Sequence, residues 1–165
     1  MTSPNIAVIG AGNWGSNLVR NFHALSALHT VCDLSEEILE DVQTHFPSVK
    51  TTTDYNSLLN DPEIDGVTVV TPSSTHHDLA EKALEADKHV FVEKPLAFTT
   101  KGVKHLGTLA GENDRCLMVG HLLLYHPVLE ELESRIERGE LGDLRYAYAT
   151  RVNLGTVRTD ANVVW

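Results

Sequence analysis

The sequence predicts an α/β fold in which a doubly wound parallel sheet is followed by the start of a second, truncated α/β domain. Short apolar, β-branched runs alternate with longer amphipathic segments from Asn5 to about Val119. Helical crossovers between successive strands require the strands to run parallel, with both faces of the sheet buried. The 165 residues suffice for one such domain and part of another.

Six runs are predicted to be strands, and turn or capping residues separate them from the helices. Ser35 and Asp54 are N-cap residues, and Thr75 with Asp78 has capping-box spacing. The predicted strands are residues 6–9, 29–33, 49–52, 67–71, 89–92 and 116–119. The predicted helices are residues 15–25, 36–46, 55–60, 76–86 and 99–111. We expect the strand order 3-2-1-4-5-6 that such folds adopt.

The C-terminal segment belongs to a different unit. A helix over about residues 127–138 ends near Gly139, and residues 144–151 alternate like a strand of another sheet. We therefore divide the chain into a domain of residues 1–121 and a segment of residues 122–165, which holds a linker helix and the first strand of an incomplete substrate domain.

Charge and composition exclude several classes of protein. Thirteen Lys and Arg oppose 23 Asp and Glu, for a formal net charge of −10. Nucleic-acid binding and attraction to anionic membranes both need a basic surface, so we expect neither partner. No apolar run reaches the length of about 20 residues that spans a bilayer, and no signal peptide is evident. We expect a cytoplasmic protein.

Cysteines and histidines point to no metal. Cys32 and Cys116 are far from any second cysteine and lie in apolar runs, which predicts two buried, unpaired thiols. The nine histidines show no ligand spacing of the HExxH kind.

The most informative motif is Gly10-x-Gly12-x-x-Gly15, between the first strand and the first helix. In that position it predicts a dinucleotide site. Gly10 permits the tight turn, Gly12 lets the backbone approach a pyrophosphate, and Gly15 lets the helix pack closely on the strand. Asn13 and Trp14 lie within the loop and are predicted to contact the cofactor.

Asp33 ends the second strand, 18 residues after Gly15. A carboxylate there accepts hydrogen bonds from the ribose hydroxyls of NAD and repels the 2′-phosphate of NADP. The sequence therefore favours NAD, although a role of Asp33 in capping the next helix stays open.

Two further segments follow strands at the edge where ligands bind in such sheets. Thr71 and Pro72 follow the fourth strand, and His76 either contacts the cofactor or caps its helix. Glu93 and Lys94 follow the fifth strand. There Lys94 is placed to donate or accept a proton, although a plain solvated lysine is the alternative.

Together these motifs resemble the glucose-fructose oxidoreductase/inositol dehydrogenase family (Gfo/Idh/MocA). The resemblance rests on Gly10-Ala11-Gly12-Asn13-Trp14-Gly15, Asp33, Thr71-Pro72, His76 and Glu93-Lys94-Pro95. It implies an N-terminal Rossmann domain with NAD, a C-terminal domain whose open sheet carries the substrate, and Lys94 as the catalytic lysine. It also implies that the bond before Pro95 is cis.

The segment after the sixth strand resembles one subgroup, the UDP-N-acetylglucosamine and UDP-N-acetylglucosaminuronate 3-dehydrogenases. Many family members have an Arg where this chain has Leu124. The resemblance implies a UDP-sugar substrate, oxidised at its C3 hydroxyl. The residues it implies as substrate ligands are Lys94, His121, Tyr125, Arg151, Asn153, Arg158 and Asn162.

Members of this family are about twice as long, which places a second catalytic group beyond Trp165 and implies a homo-oligomeric full-length form. Two other functions stay open: a non-catalytic NAD-binding regulator or scaffold, and an NADP-dependent reductase of another small carbonyl compound. Asp33 argues against the second.

Overall fold

The computed structural model describes residues 3–150. Its strands are β1 (Ile6–Ile9), β2 (Leu28–Cys32), β3 (Lys50–Thr52), β4 (Gly66–Val69), β5 (His89–Val92) and β6 (Leu117–Val119). Its helices are α1 (Gly15–Ala24), α2 (Glu36–His45), α3 (Tyr55–Asn60), α4 (His76–Glu85), α5 (Thr100–Glu112) and α6 (Pro127–Glu137). Short 3-10 turns cover Ser73–Thr75 and Leu122–Tyr125.

The six strands form one sheet in the order β3-β2-β1-β4-β5-β6, and every pair is parallel. This confirms the predicted doubly wound α/β fold. Val8 of β1 lies beside Val31 of β2 and Thr68 of β4. Side chains alternate between the two faces of a strand, so each strand contributes to two apolar layers.

Both faces of the sheet are covered, as continuous apolar strands require. The layer that packs with α1 and α2 contains Val8, Val19, Val31, Leu39, Val42 and Val49. The layer that packs with α4 and α5 is larger, and its most buried large members are Ile64, Val67, Val69, Leu84, Val92 and Leu106. A rigid sheet therefore fixes the positions from which the loops depart.

Residues 121–150 belong to a second compact unit, separated from the first at Gly120. Its helix α6 begins with His126, whose Nδ1 accepts a hydrogen bond from the Val128 N–H at 3.2 Å. Gly139 follows the helix with φ +71°, the conformation that commonly ends a helix.

The predicted strand at residues 144–151 does not form over residues 144–150. A β-strand is held by hydrogen bonds to a neighbouring strand, and no strand of the described chain pairs with these residues. Residue 151 lies outside the described range.

Two further expectations were wrong in detail. Thr75 forms no capping box, because its hydroxyl bonds to the Pro72 carbonyl at 2.8 Å and to the Thr71 hydroxyl at 2.7 Å. Cys32 is buried as predicted, but Cys116 is exposed because it precedes the edge strand β6; both thiols are free. Among residues 3–150, no helix combines the length and apolar character needed to cross a membrane.

Candidate functional site

The loops that carry the predicted residues meet at one edge of the sheet, where strand order reverses between β1 and β4. Hydrogen bonds continue past the strand ends and fix the loop origins. Gly10 N–H donates to the Cys32 carbonyl at 2.8 Å. Val70 N–H donates to the Ile9 carbonyl at 2.8 Å. This crevice is the ligand position of open α/β sheets.

The glycine loop of residues 10–15 is shaped by the absence of side chains at three positions. Gly10 has φ +89°, and a Cβ there would come within 2.8 Å of the Val70 carbonyl oxygen. A Cβ at Gly15 would overlap the Gly10 carbonyl oxygen. At Gly12, by contrast, an added Cβ would meet no atom within 4 Å. Two glycines are thus needed for packing, and the third faces open space.

The start of α1 offers unused hydrogen-bond donors beside that space. The backbone N–H groups of residues 12–15 donate to no acceptor within residues 3–150. The first N–H groups of a helix lack internal partners, and the helix dipole makes this end positive. The loop therefore fits the pyrophosphate of a dinucleotide.

Asp33 lies beside the same loop, half-buried. Its Oδ2 accepts from the Ala11 N–H at 2.8 Å, and its Oδ1 accepts from the Ser35 N–H at 2.9 Å. Ser35 itself is the N-cap of α2, and its hydroxyl accepts from the Ile38 N–H. The carboxylate is thus oriented at the end of β2, with lone pairs left for ribose hydroxyls.

The neighbouring Cys32 and Tyr55 are kept neutral by their surroundings. Burial raises the pKa of the Cys32 thiol from 9.0 to about 11, and the negative charges of Asp33 and Asp54 add to the effect. Burial, followed by the nearby Cys32, raises the pKa of Tyr55. The Tyr55 hydroxyl donates to the Leu79 carbonyl at 2.7 Å. Both groups stabilise the fold and neither supplies a nucleophile.

His76 does not cap its helix, because Thr75 is the N-cap residue of α4 and the start of the helix has no side-chain cap. The His76 ring is only 2% exposed. Its Nδ1 lies 2.8 Å from the Pro95 carbonyl oxygen, and its Nε2 lies 2.8 Å from the Thr71 carbonyl oxygen. Both ring nitrogens thus lie against backbone carbonyls, and a contact of His76 with the cofactor stays a prediction. Thr71 is half-buried and Pro72 is exposed at the crevice.

Glu93 connects the fifth strand to the glycine loop. Its Oε1 accepts from the Trp14 Nε1–H at 2.7 Å, and its Oε2 accepts from the Lys94 N–H at 3.2 Å. Lys94 is exposed, and the peptide bond between Lys94 and Pro95 is cis, as the resemblance implied. The lysine is thereby placed next to the loop that fits the pyrophosphate.

One residue of the site was missed by the sequence analysis. A Cβ at Gly120 would come within 2.9 Å of the Glu93 carboxylate, so only glycine leaves that side chain its place. The signal was available, since Gly120 directly follows a predicted strand at the ligand-binding edge.

The predicted substrate ligands are only partly described. His121 and Tyr125 lie in the second unit and are exposed, Tyr125 by 62%. The remaining predicted substrate ligands lie outside the described residues: Arg151, Asn153, Arg158 and Asn162.

A glycine loop with open space and free donors, an oriented carboxylate on the next strand and a reversal of strand order define a dinucleotide-binding Rossmann domain. The chain belongs to the Gfo/Idh/MocA oxidoreductase family with an NAD-binding Rossmann fold, whose profile matches residues 4–121. This confirms the family resemblance and the expected cofactor, NAD.

Two curated relatives of similar identity are dehydrogenases of different substrates. The UDP-N-acetylglucosamine 3-dehydrogenase of Acidithiobacillus ferrooxidans is 33% identical over 150 residues, which are 88% of this chain and 44% of that protein. The NAD(+)-dependent scyllo-inositol 2-dehydrogenase of Bacillus subtilis is 33% identical over 139 residues, 82% of this chain and 41% of that protein. The chain thus spans less than half the length of these relatives.

A solved structure supports the same assignment. GenD2 from gentamicin A biosynthesis, in complex with NAD, has a TM-score of 0.79 and 27% sequence identity; the match covers 85% of this chain and 40% of that one.

Proposed function

We propose that the chain is the cofactor-binding portion of an NAD-dependent dehydrogenase that oxidises a secondary hydroxyl of a sugar to a ketone. The observation that carries this is the placement of Lys94. It follows β5 at the ligand-binding edge, beside a glutamate that is hydrogen-bonded to the glycine loop. A proton-transferring group is thereby combined with a dinucleotide site.

In such a reaction each group of site residues would have a separate role. Bound NAD supplies the acceptor for the hydride that leaves the carbinol carbon. The N–H groups of residues 12–15 bind the pyrophosphate, and Asp33 binds the adenosine ribose. Lys94, in its amine form, takes the hydroxyl proton at Nζ as the C–H bond breaks with both its electrons. Trp14, Thr71, Pro72 and Glu93 line the cofactor crevice.

We infer that the substrate is a UDP-N-acetyl amino sugar oxidised at C3. The activity of the Acidithiobacillus ferrooxidans relative, a UDP-N-acetylglucosamine 3-dehydrogenase, supports this class, and so does Leu124 in the place where many family members carry Arg. Lys94, His121 and Tyr125 are proposed to contact the sugar. Arg151, Asn153, Arg158 and Asn162 supply charged and amide groups suited to a diphosphate and an N-acetyl group.

Cofactor binding is tested by titrating the chain with NADH and, separately, NADPH while following tryptophan fluorescence. Trp14 lies in the glycine loop, so we expect saturable quenching by NADH and a much weaker response to NADPH. A Trp14→Phe variant is the matched control, because the chain has a second tryptophan, Trp165. If Trp14 reports the binding, the quenching by NADH should disappear in this variant. Equal affinity for NADPH would favour the NADP-dependent reductase instead.

Substrate and catalysis are tested by NADH formation from NAD with UDP-N-acetylglucosamine, with scyllo-inositol as the comparison. We expect turnover of the UDP-sugar by an assembly that contains this chain. Lys94→Ala should abolish turnover and leave NADH binding unchanged. Lys101→Ala, at an exposed lysine in the first turn of α5, is the control. NADH binding without oxidation of either substrate would favour the non-catalytic regulator.

A further inference from the structure

His76 joins two loops at the ligand-binding edge of the sheet. Thr71 follows β4, and Pro95 follows the neighbouring strand β5. The imidazole, on the first residue of α4, spans the carbonyl oxygens of these two residues, at 2.8 Å from each. The loops that follow β4 and β5 are thus bridged by one buried side chain.

Both partners of the ring are acceptors only. A carbonyl oxygen has lone pairs and no proton to donate. A hydrogen bond in this pair of contacts is therefore donated by a ring N–H of His76, with the accepting carbonyl oxygen 2.8 Å away.

No ionisable side chain competes for the ring nitrogens. Among residues 3–150, the hydrogen-bond partners of these nitrogens are the Thr71 and Pro95 carbonyl oxygens. The two loops are therefore held by the same side chain.

We propose that His76 is a positioning residue that fixes the distance between the Thr71 and Pro95 carbonyls. It thereby sets the position of Lys94, the residue before Pro95. Because β4 and β5 belong to the second half of the sheet, this bridge acts on the nicotinamide half of the dinucleotide, whereas the glycine loop and Asp33 act on the adenosine half. This inference rests on the proposed cofactor site.

The positioning role is tested by binding of NADH and of ADP-ribose, which lacks the nicotinamide. His76→Asn is expected to weaken NADH binding by roughly tenfold and to change ADP-ribose binding less than about twofold. His77→Asn is the matched control on the same turn. Unchanged binding of both ligands, or an equal loss of both, would refute the positioning role.

The two proposals fail differently. A wild-type chain that binds NADH, together with a His76→Asn variant that binds it equally tightly, refutes only the positioning role. A wild-type chain that binds neither NADH nor ADP-ribose refutes the proposed cofactor site, and with it the positioning role.

Discussion

A methyl group added at either of two glycines in the same loop should separate the folding role of that loop from its binding role. At Gly15 the new Cβ would overlap the Gly10 carbonyl oxygen, a backbone atom that cannot rotate away. At Gly12 the new Cβ would meet no atom within 4 Å. The two substitutions, Gly15→Ala and Gly12→Ala, are chemically identical and three residues apart.

The two substitutions are expected to have different effects on the free energy of unfolding. Overpacking a tight contact typically costs about 1–3 kcal/mol and occasionally more. Because the obstacle is backbone, we expect Gly15→Ala to lower the free energy of unfolding by about 3 kcal/mol or more. Gly12→Ala should leave that free energy unchanged or raise it by up to about 1 kcal/mol, through the lower entropy of the unfolded chain.

The affinity for NADH, unlike the stability, should be strongly reduced by Gly12→Ala. The methyl group at Gly12 would occupy the space in front of the N–H groups of residues 12–15, and hydrogen bonds to a charged pyrophosphate would be lost. NADH affinity should therefore fall by about 10- to 100-fold. Urea unfolding measures the first quantity, and NADH titration measures the second. A Gly12→Ala chain that binds NADH as tightly as wild type, or a Gly15→Ala chain of wild-type stability, would refute the reasoning.

Four further measurements test other parts of the structure. Asp33→Asn removes the negative charge that opposes a 2′-phosphate, so the ratio of NADH to NADPH affinity should fall by about tenfold, measured by fluorescence titration. Cys116 should react rapidly with a thiol reagent and Cys32 slowly. Because the folded-state pKa of Cys32 is raised from 9.0 to about 11, the free energy of unfolding should fall as pH rises through that interval. Lys88→Met removes a buried ammonium that donates to two loop carbonyls at 2.7 and 2.8 Å, and should cost about 2–4 kcal/mol in urea unfolding.

Each of these has a clear contrary result. A free energy of unfolding that stays constant from pH 9.0 to about 11 would contradict the raised pKa of Cys32. An unchanged cofactor preference in Asp33→Asn would remove the electrostatic argument for NAD. Equal labelling rates of the two thiols would contradict the burial of Cys32. A loss below about 0.5 kcal/mol in Lys88→Met would place that ammonium among ordinary surface charges.

The strands and their order were predictable because they depend on local patterns. Apolar, β-branched runs and helical crossovers leave few arrangements of the sheet, and the structure has the expected one. The strand ends shifted by one or two residues. β4, predicted over residues 67–71, covers Gly66–Val69. Strand ends depend on which neighbour supplies the last hydrogen bond, and the sequence of one strand does not contain that information.

The choice of hydrogen-bond partner was the part that the sequence could not supply. His76 and Thr75 both have short-range capping options, which sequence patterns favour. In the fold the Thr75 hydroxyl bonds to the Pro72 carbonyl. One ring nitrogen of His76 contacts the carbonyl of Pro95, which is 19 residues away in the chain. For Gly120 the sequence shows a glycine directly after a strand at the ligand-binding edge, but the reason for it, the Glu93 carboxylate that follows the neighbouring strand, is visible only in the fold. Such pairings exist only once the sheet has brought the loops together.

The double attachment of the Asp33 carboxylate has an evolutionary consequence. One oxygen holds the loop that follows β1, and the other holds the start of α2. A lineage that exchanges this residue to admit NADP would lose two backbone tethers in the same step. A substitution at this position that removes both oxygens therefore changes the anchoring of the loop and of α2 together with the cofactor preference, so these properties do not vary independently there.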